Sequence, residues 1–329
     1  MASTVLDLPS FKGRPGWEFT DLTGLDLEQY ALTAVQPAYS DPAHPAPAGA
    51  SFDGETLRIT GTVTEPIQLA TLVPDGALAN QRLSVVVEDG AQAEVWERWT
   101  GDGVLNVATE LKVGDNARLR YIALQDLSEE AWIFGAQRAV VGRDARLDWV
   151  ALGFGSKSGH LLMSTRLVGE GAEARVTGAY ATHGRQHIDF DTTQEHAAPN
   201  TTSDLAFRGV LAGRSSAVWK GNIIVDPGAQ KTDAFQDSRN LLLSKRAHAD
   251  AIPGLEIQAN DVRCTHAAAV AQVDPEQLFY LRSRGLPEAD AKQLVIEGFL
   301  SALVERFEPG PVREVLADAL EQRLALVLN

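Results

Sequence analysis

A six-residue pattern, Gly-x-x-Ala-x-apolar, returns four times, at Gly90 to Val95, Gly114 to Leu119, Gly142 to Leu147 and Gly171 to Val176. A variant with Ser at the fourth place runs from Gly213 to Val218, and the first three glycine-to-glycine steps are 24, 28 and 29 residues. Around these glycines lie segments such as RLSVVVEDGAQAEVWERW and QRAVVGRDARLDWVAL, where apolar and polar residues alternate. Alternation of period two marks strands with one buried face. Units of this length, each made of short strands joined at a glycine turn, predict a mainly β chain coiled into a β-solenoid, with a stacked β-sandwich as the alternative. The small fourth residue fits a tight bend, where a larger side chain would strike the next rung. A hairpin meander would rely on two-residue turns, and only Asp53-Gly54, Asp75-Gly76, Asp89-Gly90 and Asp102-Gly103 offer them.

The period changes at both ends of this region. Residues 1–50 read as a short irregular region closed by the Pro/Ala linker DPAHPAPAGA. Residues 51–272 carry the strand pattern, and residues 273–329 read as a small helical domain. Asp274-Pro275-Glu276-Gln277 is a helix start, with Asp as cap and Pro at the first helical position. Gly285 can end that helix and Pro287 can open a second. Ala291, Leu294, Val295, Phe299, Ala302 and Leu303 form a stripe at helical spacing, expected to cover the open end of the solenoid and leave LFYLRSRG free. A third amphipathic helix is predicted over 312–328.

Charge and cysteine count narrow the function classes. The chain of 329 residues holds 29 Lys plus Arg against 44 Asp plus Glu, a formal charge of −15. Such a surface repels phosphate backbones, so neither nucleic acid nor an anionic membrane is an expected partner. One cysteine excludes an intramolecular disulfide and fits a reducing compartment. The first ten residues, MASTVLDLPS, do not read as a signal peptide, and no window approaches 18 uninterrupted apolar residues. A cytoplasmic location is the expectation.

No P-loop, no Gly-x-Ser-x-Gly elbow and no His-Glu-x-x-His appears. His183, His187 and His196 cluster with Asp189, Asp191 and Glu195, a set that could serve a metal or acid–base chemistry. Their parity opposes one compact site: in a strand His183, His187, Asp189 and Asp191 face one way and His196 the other. A polar face of the solenoid is the preferred reading. The sharper pair lies in NDVRCTHAAAV, where Cys264 and His266 share one strand parity with Val262, Ala268 and Val270. On a strand they stand roughly 7 Å apart on one otherwise apolar face. Cys264 reads as a reactive thiol, as half of a metal site, or as a small hydrophobe in a core. One Cys and one His supply only part of the four-ligand set of an iron–sulfur cluster.

Residues 234–298, with NLLLS, LEI followed by DVRCTH, then LFYLRSRG and EGF, resemble the C-terminal core of the SufD family of iron–sulfur cluster assembly proteins. GNIIVDPGAQKTDAFQ upstream and WEFTDL near the start are similar to that family as well, so the resemblance runs from about residue 17 to 307. It implies a right-handed parallel β-helix with helical ends and a scaffold rather than a stand-alone enzyme, with no catalytic residues of its own. The implied partners are a SufB-like subunit, paired through the β-helices, and a SufC-type ATPase docked on the C-terminal helices, with self-association of the isolated chain as a further expectation. Cys264 and His266 match the family's candidate cluster-ligand positions at the SufB interface. The cluster would be transient and shared with the partner, and none would be held stably by this chain alone. The family commonly has His-Gly-Ala where this chain reads His266-Ala267-Ala268. Two other classes stay open: a polysaccharide-acting β-helix enzyme, with the His183 to His196 region as its cleft, and a self-associating structural protein without a metal role.

Overall fold

The computed structural model describes residues 17–41 and 46–307, together with 310, 313, 314 and 317. Four short strands, β1 (Ala31–Ala34), β2 (Ala38–Tyr39), β3 (Ala50–Phe52) and β4 (Thr56–Ile59), lead into two long ones, β5 (Ile67–Val87) and β6 (Gln92–Val113). Shorter strands follow at regular intervals: β7 (Arg118–Gln125), β8 (Trp132–Val141), β9 (Arg146–Gly153), β10 (Ser158–Leu167), β11 (Glu173–Thr182) and β12 (His187–His196). The series ends with β13 (Thr202–Leu211), β14 (Ser216–Val225), β15 (Asp233–Leu242), β16 (His248–Ile257) and β17 (Arg263–Gln272).

From β7 onward each strand pairs in parallel with the strand two places later. This pattern makes a β-solenoid with two walls. One wall stacks β7, β9, β11, β13, β15 and β17, and the other stacks β8, β10, β12, β14 and β16. The long β5 and β6 cross from one wall to the other, so β6 pairs with β7 through Gln92 to Trp99 and with β8 through Val104 to Val113. Period-two alternation decides what lies inside. Trp149, Val176, Leu205 and Trp219 point inward and join one continuous apolar core, while their chain neighbours point out.

The repeat is present, but its frame differs from the one the glycines suggest. The residues that close equivalent turns are Ala91, Ala117, Ala145 and Ala172, whose N–H groups reach the carbonyls of Glu88, Gly114, Gly142 and Gly169. The steps between them are 26, 28 and 27 residues. Gly90 and Gly171 hold the left-handed third place of their turns, at φ 71° and 73°, where the other rungs place Asn116 and Asp144 at 56° and 52°. Gly114 and Gly142 instead open their turns, and a Cβ there would stand 2.5 Å from Asp89 Oδ1 and 2.7 Å from Asp115 Oδ1 respectively. The pattern therefore superposed two kinds of glycine, one needed for left-handed backbone and one for close stacking of rungs. The alanines it picked out at 93 and 174 are strand residues two places past the bend.

Helices α1 (Pro275–Ser283) and α2 (Glu288–Val304) follow β17. Asp274 caps α1 by accepting the Glu276 N–H at 2.9 Å, with Pro275 in the first turn. Contrary to the expectation from its stripe, α2 does not cover the open end of the solenoid. Its buried residues Ile296, Leu300 and Leu303, with Phe307, pack on the outer side of the first wall against Val150, Leu152, Ala206 and Val210. Several outward residues of that wall are apolar, so the flank offers α2 a surface to bury. Arg306 fastens this arrangement, donating to Thr177 Oγ1 at 3.1 Å and to the Asp204 carbonyl at 3.1 Å. On the second wall, Trp17, Leu22, Leu25, Leu27 and Tyr30 cover Leu78, Val104, Trp132 and Phe134. Of the helix expected over 312–328, only residues 313, 314 and 317 are described, and all three are helical. Among the described residues no helix is long and apolar enough to cross a membrane.

Candidate functional site

Among the described residues β17 is the last rung of its wall and pairs on one side only, with β15; β16 is likewise paired only with β14. The register sets Cys264 above Ala234, His266 above Gln236, Ala268 above Ser238 and Val270 above Asn240. Those β15 residues are buried inward, so Cys264 and His266 also take the inward side, on a coil with no further described rung over it. The shared parity expected for the pair is present. Burial in a core is not: Cys264 is half-buried and His266 is exposed.

Cys264 packs against a small cluster of Ile223, Val225, Ala229, Ala234 and Ala259. Burial pushes its thiol pKa up, and the Asp233 carboxylate adds to that shift. The group is therefore a thiol at neutral pH, and a metal ion or a cation brought by a partner is needed to make it a thiolate. His266 makes no hydrogen bond among the described residues. Asp233 on β15 pairs outward with Arg263, one residue before Cys264, which ties the last two rungs together on the outer side. Ala267 points outward too, and its backbone lies outside the left-handed region, so its methyl strains nothing here.

The chemistry available is partial coordination. A soft thiolate and an imidazole on one face suit iron or zinc, and they leave the rest of a four-ligand shell to be filled by another chain. Among the described residues no three His, Cys, Asp or Glu side chains converge so as to hold a metal ion.

The second constellation is divided as its parity predicted. His187 and Asp189 lie on the outward side of β12, and His196 points inward. They do not form an open polar face, because the N-terminal segment lies over part of them. Thr20 Oγ1 donates to Asp189 Oδ2 at 2.8 Å, His160 Nδ1 stands 2.8 Å from the same oxygen, and the Trp17 ring lies 4.5 Å from that of His160. His183 pairs with Glu129 at 3.0 Å, Asp191 with Lys220 at 3.2 Å and Glu195 with Arg166 at 2.7 Å. These groups are engaged with one another.

Two features near the first pair were not picked out in the sequence. Beneath the open end, Gln236 Oε1, Ser238 Oγ and Asn240 Nδ2 are buried without partners. The signal was available in AFQDSRN, where Gln236, Ser238 and Asn240 fall on inward parity at a place where earlier rungs carry Leu205 and Phe207. Separately, α1 and α2 enclose a hollow of about 710 Å³, lined by Tyr280, Leu281, Leu294, Val295 and Phe299 among others.

Residues 71–299 match the family model described as SUF system FeS cluster assembly, SufBD core domain. The chain is 33% identical over 293 residues to an iron–sulfur cluster assembly SufBD family protein of Mycobacterium tuberculosis, covering 85% of this chain and 74% of that one. It is 34% identical over 257 residues to the iron–sulfur cluster assembly protein SufD of Bacillus subtilis, covering 76% and 58%. Against SufD of Escherichia coli it is 30% identical over 253 residues, covering 75% and 59%. The family match over residues 71–299, with a relative 33% identical and covered to 74%, places this chain in the SufBD family of iron–sulfur cluster assembly proteins.

Proposed function

We propose that this chain is a SufD-like scaffold subunit of a SufBCD-type assembly complex and contributes Cys264 and His266 to a cluster-building site completed by a SufB-like partner. The observation that carries the reading is the placement of both donors on the inward side of a rung that no described strand or helix of this chain covers. The nascent cluster is cargo, held for a time and passed on. The unpaired edges of β16 and β17 present free backbone N–H and C=O groups, which a partner's strands can pair with. Closing the end in that way would desolvate Cys264 and His266 and bring further ligands against them.

The second contact is with a SufC-type ATPase, which would supply the hydrolytic activity. Phe279, Tyr280 and Leu294 on α1 and α2 are 74%, 56% and 49% exposed. Large apolar side chains left this open, with Tyr280 and Leu294 lining the hollow, suit a protein partner. The experiment is co-purification with SufB- and SufC-type subunits, followed by cluster reconstitution of the complex carrying His266→Ala or Cys264→Ser. Cluster yield should fall in both while the thermal midpoint of the isolated chain holds, since neither side chain is enclosed by the core. Early melting with undiminished yield from the folded complex would make the pair structural.

A further inference from the structure

We infer that Gln236 is the positioning residue for His266: it accepts the imidazole Nδ1–H and so leaves Nε2 free at the open end. This rests on the reading of His266 as a ligand. Gln236 lies directly beneath His266 in the parallel ladder and is 0% exposed. Its Nε2 donates to the carbonyls of Gly221 at 3.3 Å and Gly254 at 3.1 Å, on β14 and β16 of the opposite wall. Those two carbonyls fix which end of the amide is which, because neither could face the oxygen. Oε1 is thereby left as an acceptor, buried and without a donor.

Such an atom calls for a partner, since buried polar groups are almost always satisfied. Among the described residues the polar side chain stacked next over it on the inward side is His266, whose ring is itself without a hydrogen bond. Neighbours in a ladder stand about 4.8 Å apart, which a turned imidazole can span. A neutral imidazole has one donor and one acceptor nitrogen. Nδ1 is the nitrogen nearer the backbone, hence nearer the rung below, and Nε2 is the one that reaches the mouth. Histidines that bind metals commonly donate the remaining ring N–H to a carbonyl or carboxylate, which fixes the ring and its tautomer. Gly221 leaves room for this amide, because a Cβ there would stand 2.8 Å from Gln236 Oε1.

The test is a long-range proton–nitrogen NMR correlation on the full chain with 15N-labelled histidine, at a pH where the rings are neutral. The His266 signals are assigned by their loss in His266→Ala. Free imidazole side chains favour the Nε2–H form; His266 should instead be mainly Nδ1–H. Gln236→Met, which keeps the volume and removes the acceptor, should move the ratio back by on the order of tenfold, the worth of one hydrogen bond. A wild-type ring with the free preference overturns the inference even if Gln236→Met does not fold, and so does an unchanged ratio in a folded Gln236→Met. The ligand reading fails by a separate route, undiminished cluster yield in His266→Ala, whatever tautomer is found.

Discussion

His196 faces the inside of the coil with no exposure, its two ring nitrogens each 2.8 Å from a hydroxyl, those of Thr201 and Ser203. Burial lowers its pKa from 6.5 to about 4. The unfolded chain therefore takes up this proton first as pH falls. Stability contributed by the neutral ring is intact above pH 6.5 and declines between 6.5 and about 4, by roughly 3 kcal/mol in all at 1.36 kcal/mol per unit. Urea midpoints between pH 7 and 4 should show this slope, and His196→Gln should flatten it while lowering stability at pH 7. An equal slope in the variant would assign the acid loss to other groups. Parity alone separated this histidine from His187, and parity alone set Cys264 and His266 on one side. The exposure of each depended on what the rest of the chain lays over that side, which no local pattern carries.

At the scale of the turn, left-handed backbone rather than contact fixes the residue. Gly90 has φ 71°, and a Cβ there would meet nothing within 4 Å. The cost of Gly90→Ala is then conformational, about 1 kcal/mol. Gly90→Asn should cost clearly less, because Asn tolerates this region and Asn116 already occupies the equivalent place one rung on. Denaturant midpoints of the two variants measure the difference, and equal losses would mean that contacts decide the position. Glycines 114 and 142 answer to a different constraint, the approach of the preceding aspartate. A one-letter pattern cannot distinguish these two demands, which is why the repeat was legible as a period and misplaced as a frame. The start of α1 was legible in full, since Asp274 and Pro275 act within the first turn.

For the whole molecule, the consequence lies in where α2 went. By taking the flank it does not cover the last rung, and it presents Phe279, Tyr280 and Leu294 on a separate surface. Two partner contacts at two places are thereby possible on one chain. Phe279→Ala and Leu294→Ala remove exposed side chains, so unfolding free energies should stay within about 0.5 kcal/mol of the parent. Binding of a SufC-type ATPase should weaken by tenfold or more for at least one of them, as expected when a central apolar anchor is truncated. Pairing with a SufB-like subunit should be untouched by either. Loss of both contacts together would mean that the two surfaces are one.

The sequence by itself determined the coil, the inward sets on each strand, the switch to helix near residue 273 and the shared side of Cys264 and His266. Each follows from backbone geometry repeated every two residues or from capping within one turn. Only the tertiary structure decided that no described segment covers the last rung, that Gln236 lies beneath His266, and that α2 rests on the flank. These depend on pairings between residues some 30 apart and on the apolar flank that meets the helix. A local period contains neither quantity.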